Sequence, residues 1–339
     1  MSNRITIGDV AKKAQVSMMT VSRVINNKDD VSPATRQRVL QAVEALGYRP
    51  SGIARGLATQ HTGTLGLVVP DIANPFFAEV ARGVEHGAHE KGYNVFLCNT
   101  EEDQGREIAV LQSLEEKWVD GIILCSSRLD NETLIKVTHS HPAVVLVNRR
   151  LEANPGSAGS VLVDDIAGSR LVTQHLLNTG HRTISFLAGP AGSHSSQWRI
   201  RGYRESLAAA GIVPDPDWIR YCAPVVEAGF TAARALLTAH PASTALLCYN
   251  DLVAVGALKA CAELGAQVPI DVAVAGFDDI PLAALVTPTL TTCHIPRYAL
   301  GTRAVALLLD HISQPNLDPQ EIILQPHLIV RASAPEKKP

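Results

Sequence analysis

The sequence predicts an all-α head of three short helices, a linker, and an α/β core built from two parallel sheets. Three observations predict it. Residues 1–48 carry three apolar helical stripes, each opened by a residue able to cap a helix. Residues 49–63 are punctuated by glycines that weaken any helix there. From residue 64 onward, apolar runs of strand length alternate with helical segments, as in parallel strands covered by helices on both faces.

The head comes first in the chain. In "TIGDVAKKA", Ile7, Val10, Ala11 and Ala14 recur at helical spacing, and Thr6 can cap that helix. "QVS" is too short for anything but a tight turn. Ser17 can cap a second helix whose Val21, Val24 and Ile25 face inward. "SPATRQRVLQAVEALGY" opens a third with Ser32 as N-cap and Pro33 at the first helical position. Its predicted stripe is Val39, Leu40, Val43 and Leu46, and Gly47 stops it.

Three short helices with a tight turn between the first two make the helix-turn-helix plan, whose second helix enters the major groove of DNA. If Val21, Val24 and Ile25 pack inward, then Met18, Met19, Ser22 and Arg23 lie on other faces near the helix start. Arg23 can bind guanine O6 and N7 as a fork, and a methionine can pack on a thymine methyl. Ser17, Thr20 and the helix N-terminus suit phosphate contacts. Asn26, at the end of the same helix, is counted with these DNA contacts.

Charge supports a polyanion partner for the head. Residues 1–60 hold nine Lys/Arg against four Asp/Glu, a balance of +5 on a chain whose net charge is −3. A basic head on an acidic body is the electrostatic footprint of a nucleic-acid binder.

The linker, residues 49–63, reads "RPSGIARGLATQHTG". Ile53, Ala54 and Leu57 form a small apolar face. A helix of about eight residues falls below the ~12–15 that persist in water. Gly52 and Gly56 each weaken it by a further ~0.5–1 kcal/mol relative to alanine. The expectation is that this segment holds no helix alone.

Here the text "TIGDVAKKAQVSMMTVSRVINNKDDVSPATRQRVLQAVEALGYRPSGIARGLATQHTGTLGLVVPDIANPFF" resembles the start of a lactose-repressor (LacI/GalR) family regulator. The pattern continues to about Arg331. The resemblance implies a hinge helix that folds on DNA, two copies of which, from a dimer, push leucines into the minor groove. Ala54 and Leu57 match that hinge, with Leu57 at the wedge position that unstacks and kinks the duplex. Gly56 departs from the bulkier residue of many relatives.

The core, residues 64–339, alternates "LGLVV", "YNVFLCN", "GIILCS" and "AVVLVN" with helices near residues 75–91, 105–117 and 132–139. The plan restarts after "NPGSAGS": "VLVDD", "TISFLAG", "ALLCYN" and "VAVAGFDD" alternate with helices near 166–178, 196–210 and 252–264. Two successive copies predict two Rossmann-like subdomains. The core resembles the type I periplasmic-binding-protein fold, which implies a cleft that closes on a small ligand.

Ligands in such sheets sit beyond the carboxyl ends of strands. That rule selects Asp71, Asn74, Phe76 and Phe77, then Asn148 and Arg149, Asn250 and Asp251, and Asp278 and Asp279. Arg199, in "QWRIRGY", stands where the resemblance places an effector-binding arginine. The expected effector contacts are Asn74, Phe76, Arg149, Arg199, Asn250 and Asp278. The alternative role for Asn250 and Asp279 is to cap the helices that follow them. Phe77 reads as core. Ile295 replaces a polar residue that many relatives carry near the cleft.

Other functions fit less well. No G-x-S-x-G, P-loop, G-x-G-x-x-G or H-E-x-x-H occurs. "HSH" at 139–141 reads as loop, and the neighbouring pairs Asp164–Asp165 and Asp278–Asp279 diverge along the chain rather than converge as acid and base. Six cysteines without metal spacing read as reduced core residues of a cytosolic protein. A transport sugar-binding protein would share the core, but the N-terminus lacks the apolar region of a secretory signal.

The expectation is a cytoplasmic transcription regulator, most simply a repressor. It binds a near-palindromic double-stranded operator as a homodimer, with a tetramer possible, and needs no cofactor, metal or membrane. The C-terminus carries no leucine-heptad helix. Arg149, Arg150 and Arg199 lean toward an anionic sugar derivative, while Phe76 suits a sugar or a purine.

Overall fold

The computed structural model describes residues 5–49, 61–151 and 158–336. The predicted linker contacts Ala54 and Leu57 lie outside the described residues. The chain divides into two compact units, Met1–Gly63 and Thr64–Pro339.

The first unit is three helices, α1 (Ile7–Ala14), α2 (Met18–Ile25) and α3 (Pro33–Leu46). Each starts where a side chain satisfies an orphan backbone N–H. Thr6 and Asp9 form a reciprocal capping box on α1. Ser17 Oγ accepts from the Thr20 N–H at 3.1 Å. Ser32 Oγ accepts from the Thr35 N–H at 3.4 Å, and Pro33 sits in the first turn. Gly47, at φ 60°, ends α3 in the left-handed conformation open to glycine.

The head core is Val10, Ala11, Ala14, Val21, Val24, Val39 and Ala42. Leu40, expected in the α3 stripe, is instead 51% exposed. Val39, Ala42, Val43 and Leu46 already occupy one face at i, i+3, i+4, i+7, and one step of about 100° carries Leu40 off it.

The second unit holds two six-stranded sheets. The first contains β1 (Thr64–Val69), β2 (Asn94–Asn99), β3 (Gly121–Cys125), β4 (Val144–Val147), β5 (Gly159–Val163) and β11 (Glu321–Leu324). Its order is β11-β5-β4-β3-β1-β2, parallel throughout.

The second sheet contains β6 (Ile184–Ala188), β7 (Ile219–Tyr221), β8 (Ala245–Cys248), β9 (Ala273–Asp278), β10 (Thr291–His294) and β12 (His327–Ile329). Its order is β12-β10-β9-β8-β6-β7, and only β12 runs antiparallel to its neighbour. The central strands of both sheets are buried on both faces, which is why they read as unbroken apolar runs.

The helices are α4 (Pro75–Glu90), α5 (Gln104–Glu116), α6 (Asn131–Ser140), α7 (Asp165–Asn178), α8 (His194–Ala209), α9 (Val226–Ala239), α10 (Asp251–Glu263) and α11 (Arg297–Ser313). Helix α6 runs through His139 and Ser140, so "HSH" closes a helix rather than forming a loop.

Two corrections concern the division into subdomains. "VLVDD" was expected to open the second copy, but β5 lies between β4 and β11 of the first sheet. The helix after β10 also returns: α11 packs on α4, β3, β4 and β5. The chain therefore passes between the subdomains three times, near Asp164, near Ile295–Pro296 and at Gln325–Pro326. Helices α4 and α11 cross closely because both contribute glycine. A Cβ on Gly83 would collide with the Tyr298 carbonyl, and one on Gly301 with the Val80 carbonyl.

Among the described residues no helix is long and apolar enough to cross a membrane. No group of three or more His, Cys, Asp or Glu is placed there to hold a metal ion. All six cysteines are free thiols; Cys98 and Cys222 are half-buried and the rest buried. Burial pushes the Cys125 thiol up to about 12, so it stays protonated and inert.

Candidate DNA-reading and effector sites

The start of α2 presents a compact surface. Met18 and Met19 are 58% and 65% exposed. Leaving apolar area in water forgoes about 25 cal/mol per Å² of burial, so two adjacent bare methionines suit a partner that covers them. Ser17 and Thr20 share the cap, with their hydroxyls 2.9 Å apart. Asn26 Nδ2 donates to Ser22 Oγ at 3.4 Å. Arg23 pairs with Asp30 at 3.1 Å, both side chains about half exposed, so phosphate or base can displace Asp30 at little cost.

In the core, strand ends of both sheets converge on a small cavity lined by polar and aromatic side chains. Asn74 caps α4, its Oδ1 accepting from the Phe76 N–H at 3.0 Å. Phe76 and Phe77 meet edge to face at 5.0 Å. Asn250 caps α10, accepting from the Val253 N–H at 2.9 Å and donating to the Pro224 carbonyl at 3.2 Å. Capping and lining are therefore the same placement for Asn74 and Asn250. Backbone strain collects here as well: Ser126, Asn148 and Asp278 all have positive φ at strand ends.

Arg199 crosses the floor of the second subdomain. It donates to Asp165 Oδ1 at 2.7 Å and to the Tyr249 carbonyl at 2.5 Å. Asp278 Oδ1 lies 3.7 Å away. Burial works against the Arg199 charge, but Asp165 and Asp278 outweigh it, so the guanidinium stays ionised. Burial pushes the Asp278 carboxyl up to about 7, with Arg199 and Arg297 pulling it partly back.

Five of the six expected effector residues line this cavity: Asn74, Phe76, Arg199, Asn250 and Asp278. Arg149 does not. Its guanidinium donates to Asn131 Oδ1 at 2.9 Å and to the Leu129 carbonyl at 3.3 Å, and meets His194 Nδ1 at 3.3 Å. Its neighbour Asn148 lines the cavity instead. Phe77, read as core, is both core and wall. Ile295 is fully buried in the apolar core. Asp279 caps no helix but pairs with His294 and Arg331. Asp251 is a structural buried acid, accepting from the Ile280 N–H and Thr292 Oγ1.

Sequence reasoning missed Glu102, Ser126, Arg128, Ser195 and Tyr249, all on the cavity wall. The strand-end rule reaches Ser126, Arg128 and Glu102 when it is applied to β2 and β3 as well as to β1 and β4.

Comparisons with known proteins agree with both halves. The family model for bacterial regulatory proteins of the lacI family matches residues 6–51. The model described as periplasmic binding proteins and sugar binding domain of the LacI family matches residues 62–332. The chain is 39% identical to the ribose operon repressor of Halalkalibacterium halodurans over 329 residues, 96% of each chain. It is 36% identical to the HTH-type transcriptional repressor PurR of Aliivibrio fischeri over 336 residues, 97% of this chain and 98% of that one.

Among solved structures, the lac repressor dimer bound to operator and the anti-inducer ONPF matches with a TM-score of 0.87 at 28% identity, covering 98% of this chain and all of that one. The transcriptional regulator CelR in its cellobiose complex matches with a TM-score of 0.76 at 34% identity, covering 97% of this chain and 100% of that one. The chain belongs to the LacI family of bacterial regulatory proteins and is a DNA-binding transcriptional regulator.

Proposed function

We propose that this protein is a cytoplasmic repressor that binds a near-palindromic operator as a homodimer and is released by a neutral sugar in the core cleft. The observation that carries the ligand class is charge balance. The cavity wall holds two arginines and two carboxylates, and each arginine already has its acid: Arg199 with Asp165 and Asp278, Arg128 with Glu102. Arg150 is paired with Glu321 outside the cavity. An added anion would enter a buried site whose cations are already matched. Hydroxyls need no counter-charge, and Phe76 can cover the apolar face of a sugar ring.

A dimer is favoured by exposed apolar residues on edge strands. Phe96 and Leu97 on β2 are 45% and 42% exposed, and Tyr221 on β7 is 51% exposed. A two-fold protein matches a palindromic site. Met18, Met19, Ser22 and Arg23 would read bases, Ser17, Thr20 and Asn26 would hold the backbone, and Ala54 and Leu57 would enter the minor groove. Regulation is favoured over catalysis because the buried carboxylates Asp165 and Asp278 are both turned to Arg199.

The switch is linkage. A ligand touching both walls favours one arrangement of the subdomains, moving about the three chain passages. The linker enters the core at β1, so that arrangement sets where the two linkers of a dimer emerge. Whatever the sugar does to operator affinity, the operator does reciprocally to sugar affinity.

A purine is the second reading, favoured by the PurR relative and by the Phe76–Phe77 pair, which can stack a base. Isothermal titration with neutral aldoses, sugar phosphates and purine bases separates the two. Saturable heat with an aldose supports the proposal, and heat with a purine alone replaces it.

A further inference from the structure

Arg128 has no role in the reading above beyond its charge, yet its surroundings give it one. It lies three residues past the end of β3, and its side chain is 9% exposed. The α5 region clamps it from behind. Glu102 Oε2 accepts from Nε at 2.5 Å, Glu107 Oε2 accepts from the Arg128 backbone N–H at 3.1 Å, and Gln104 Nε2 donates to its carbonyl at 2.6 Å. Burial works against the Arg128 charge, and Tyr249, Glu102 and Glu107 outweigh it.

The clamp leaves the far end of the fork. Among the described residues Nη1 and Nη2 meet no acceptor, while the residue lines the cavity. An arginine whose Nε and backbone are fixed holds those terminal N–H groups pre-oriented, so little entropy is lost when a ligand takes them.

Asn148 supplies the complementary half. It is 5% exposed, lines the same cavity, and its Oδ1 is buried without a partner. The strands that deliver the two residues are neighbours, with Cys125 paired to Val147. One wall therefore offers unused donors and an unused buried acceptor. A carboxylate or a fully ionised phosphate group has no hydrogen to give Asn148. Of two neighbouring hydroxyls, one can accept from Arg128 and the other donate to Asn148.

We infer that Arg128, held by Glu102, is a specificity-determining residue of the first-subdomain wall, and that with Asn148 it reads adjacent hydroxyls of a neutral sugar. This rests on the sugar-effector reading proposed above.

The test is a double-mutant cycle between protein and ligand, by titration calorimetry on the full-length protein. D-ribose and other neutral aldopentoses and aldohexoses are the first probes. Monodeoxy forms of whichever sugar binds follow, on wild type and Arg128→Met. The variant is expected to bind the intact sugar about ten- to a hundredfold more weakly, as befits a hydrogen bond to a charged group. Removal of one particular hydroxyl should cost wild type a similar factor and cost the variant nothing further.

If Arg128→Met does not fold, Arg128→Lys and Glu102→Gln carry the same cycle, with smaller losses expected at the same hydroxyl. Equal affinity of wild type and variant for the intact sugar overturns the inference and leaves the sugar reading standing. So does a deoxy penalty that persists in full in the variant. Binding of a purine or sugar phosphate but of no neutral sugar by wild type overturns both.

Discussion

Arg199 donates to Asp165 at 2.7 Å in a site where their side chains are 6% and 1% exposed. The pair joins α8 to the start of α7, beside the point where the chain passes from the first sheet to the second. Removing one member of a buried pair strands the other charge, at a cost of about 3–5 kcal/mol. Arg199→Ala is therefore expected to lose about that much stability in urea denaturation. It should also lose its response to effector, because Arg199 lines the cavity. A variant as stable as wild type would show that the pair contributes little.

Asp278 gives a pH signature. Burial raises its carboxyl from the ordinary 3.8 to about 7. Between those values the folded protein keeps a proton that the unfolded chain has released. Stability from this group therefore falls as pH rises through that window and is level above it. Asp278→Asn does not titrate. Its stability relative to wild type should rise from about pH 5 to about pH 7 and then flatten. A difference that stays constant across that range in thermal melts would contradict the assignment.

At the rim of the cleft the subdomains are tied by aromatic contacts. The Arg150 guanidinium lies 5.3 Å from the Trp198 ring centre, and Arg149 meets His194 at 3.3 Å. Arg149 and Arg150 follow β4, while His194 and Trp198 belong to α8. Trp198→Ala removes one tie without touching the lining. Effector affinity should fall about two- to fivefold, the worth of an exposed cation–π contact. Unchanged affinity would mean the rim does not bear on closure.

The methionines of α2 carry the prediction for DNA. Replacing Met18 and Met19 together with threonine should change which bases are preferred more than it changes total affinity. Selection from a randomised operator library measures this. The same preferred site before and after would remove them as readers. Arg23→Ala should instead cost about 1–3 kcal/mol at a guanine.

The head was legible because its signals are local. Thr6, Ser17, Ser32 and Gly47 mark helix ends by hydrogen bonds to their own neighbours, and all four act as read. Most core helices were placed within two residues of their ends for the same reason. The two that went unread, α9 and α11, are those α-helices among the described residues whose N-caps, Val225 and Pro296, make no side-chain cap bond. The sheet membership of β5 was illegible because register with β4 and β11 is set by tertiary packing. The cavity was half legible. Strand ends found Asn74, Asn250 and Asp278, but a chain does not announce which way an arginine turns. Arg149 folds back onto Asn131, while Arg128, three residues past its strand, faces the cavity.

The most direct test is operator binding by the full-length protein, followed by fluorescence anisotropy and titrated with neutral sugars, sugar acids, sugar phosphates and purines. A neutral sugar is expected to weaken operator binding, anionic derivatives of the same sugar are not, and affinity should fall steeply with salt as phosphate contacts require. Operator release by a purine or an anionic sugar alone, with neutral sugars inert, would contradict this expectation.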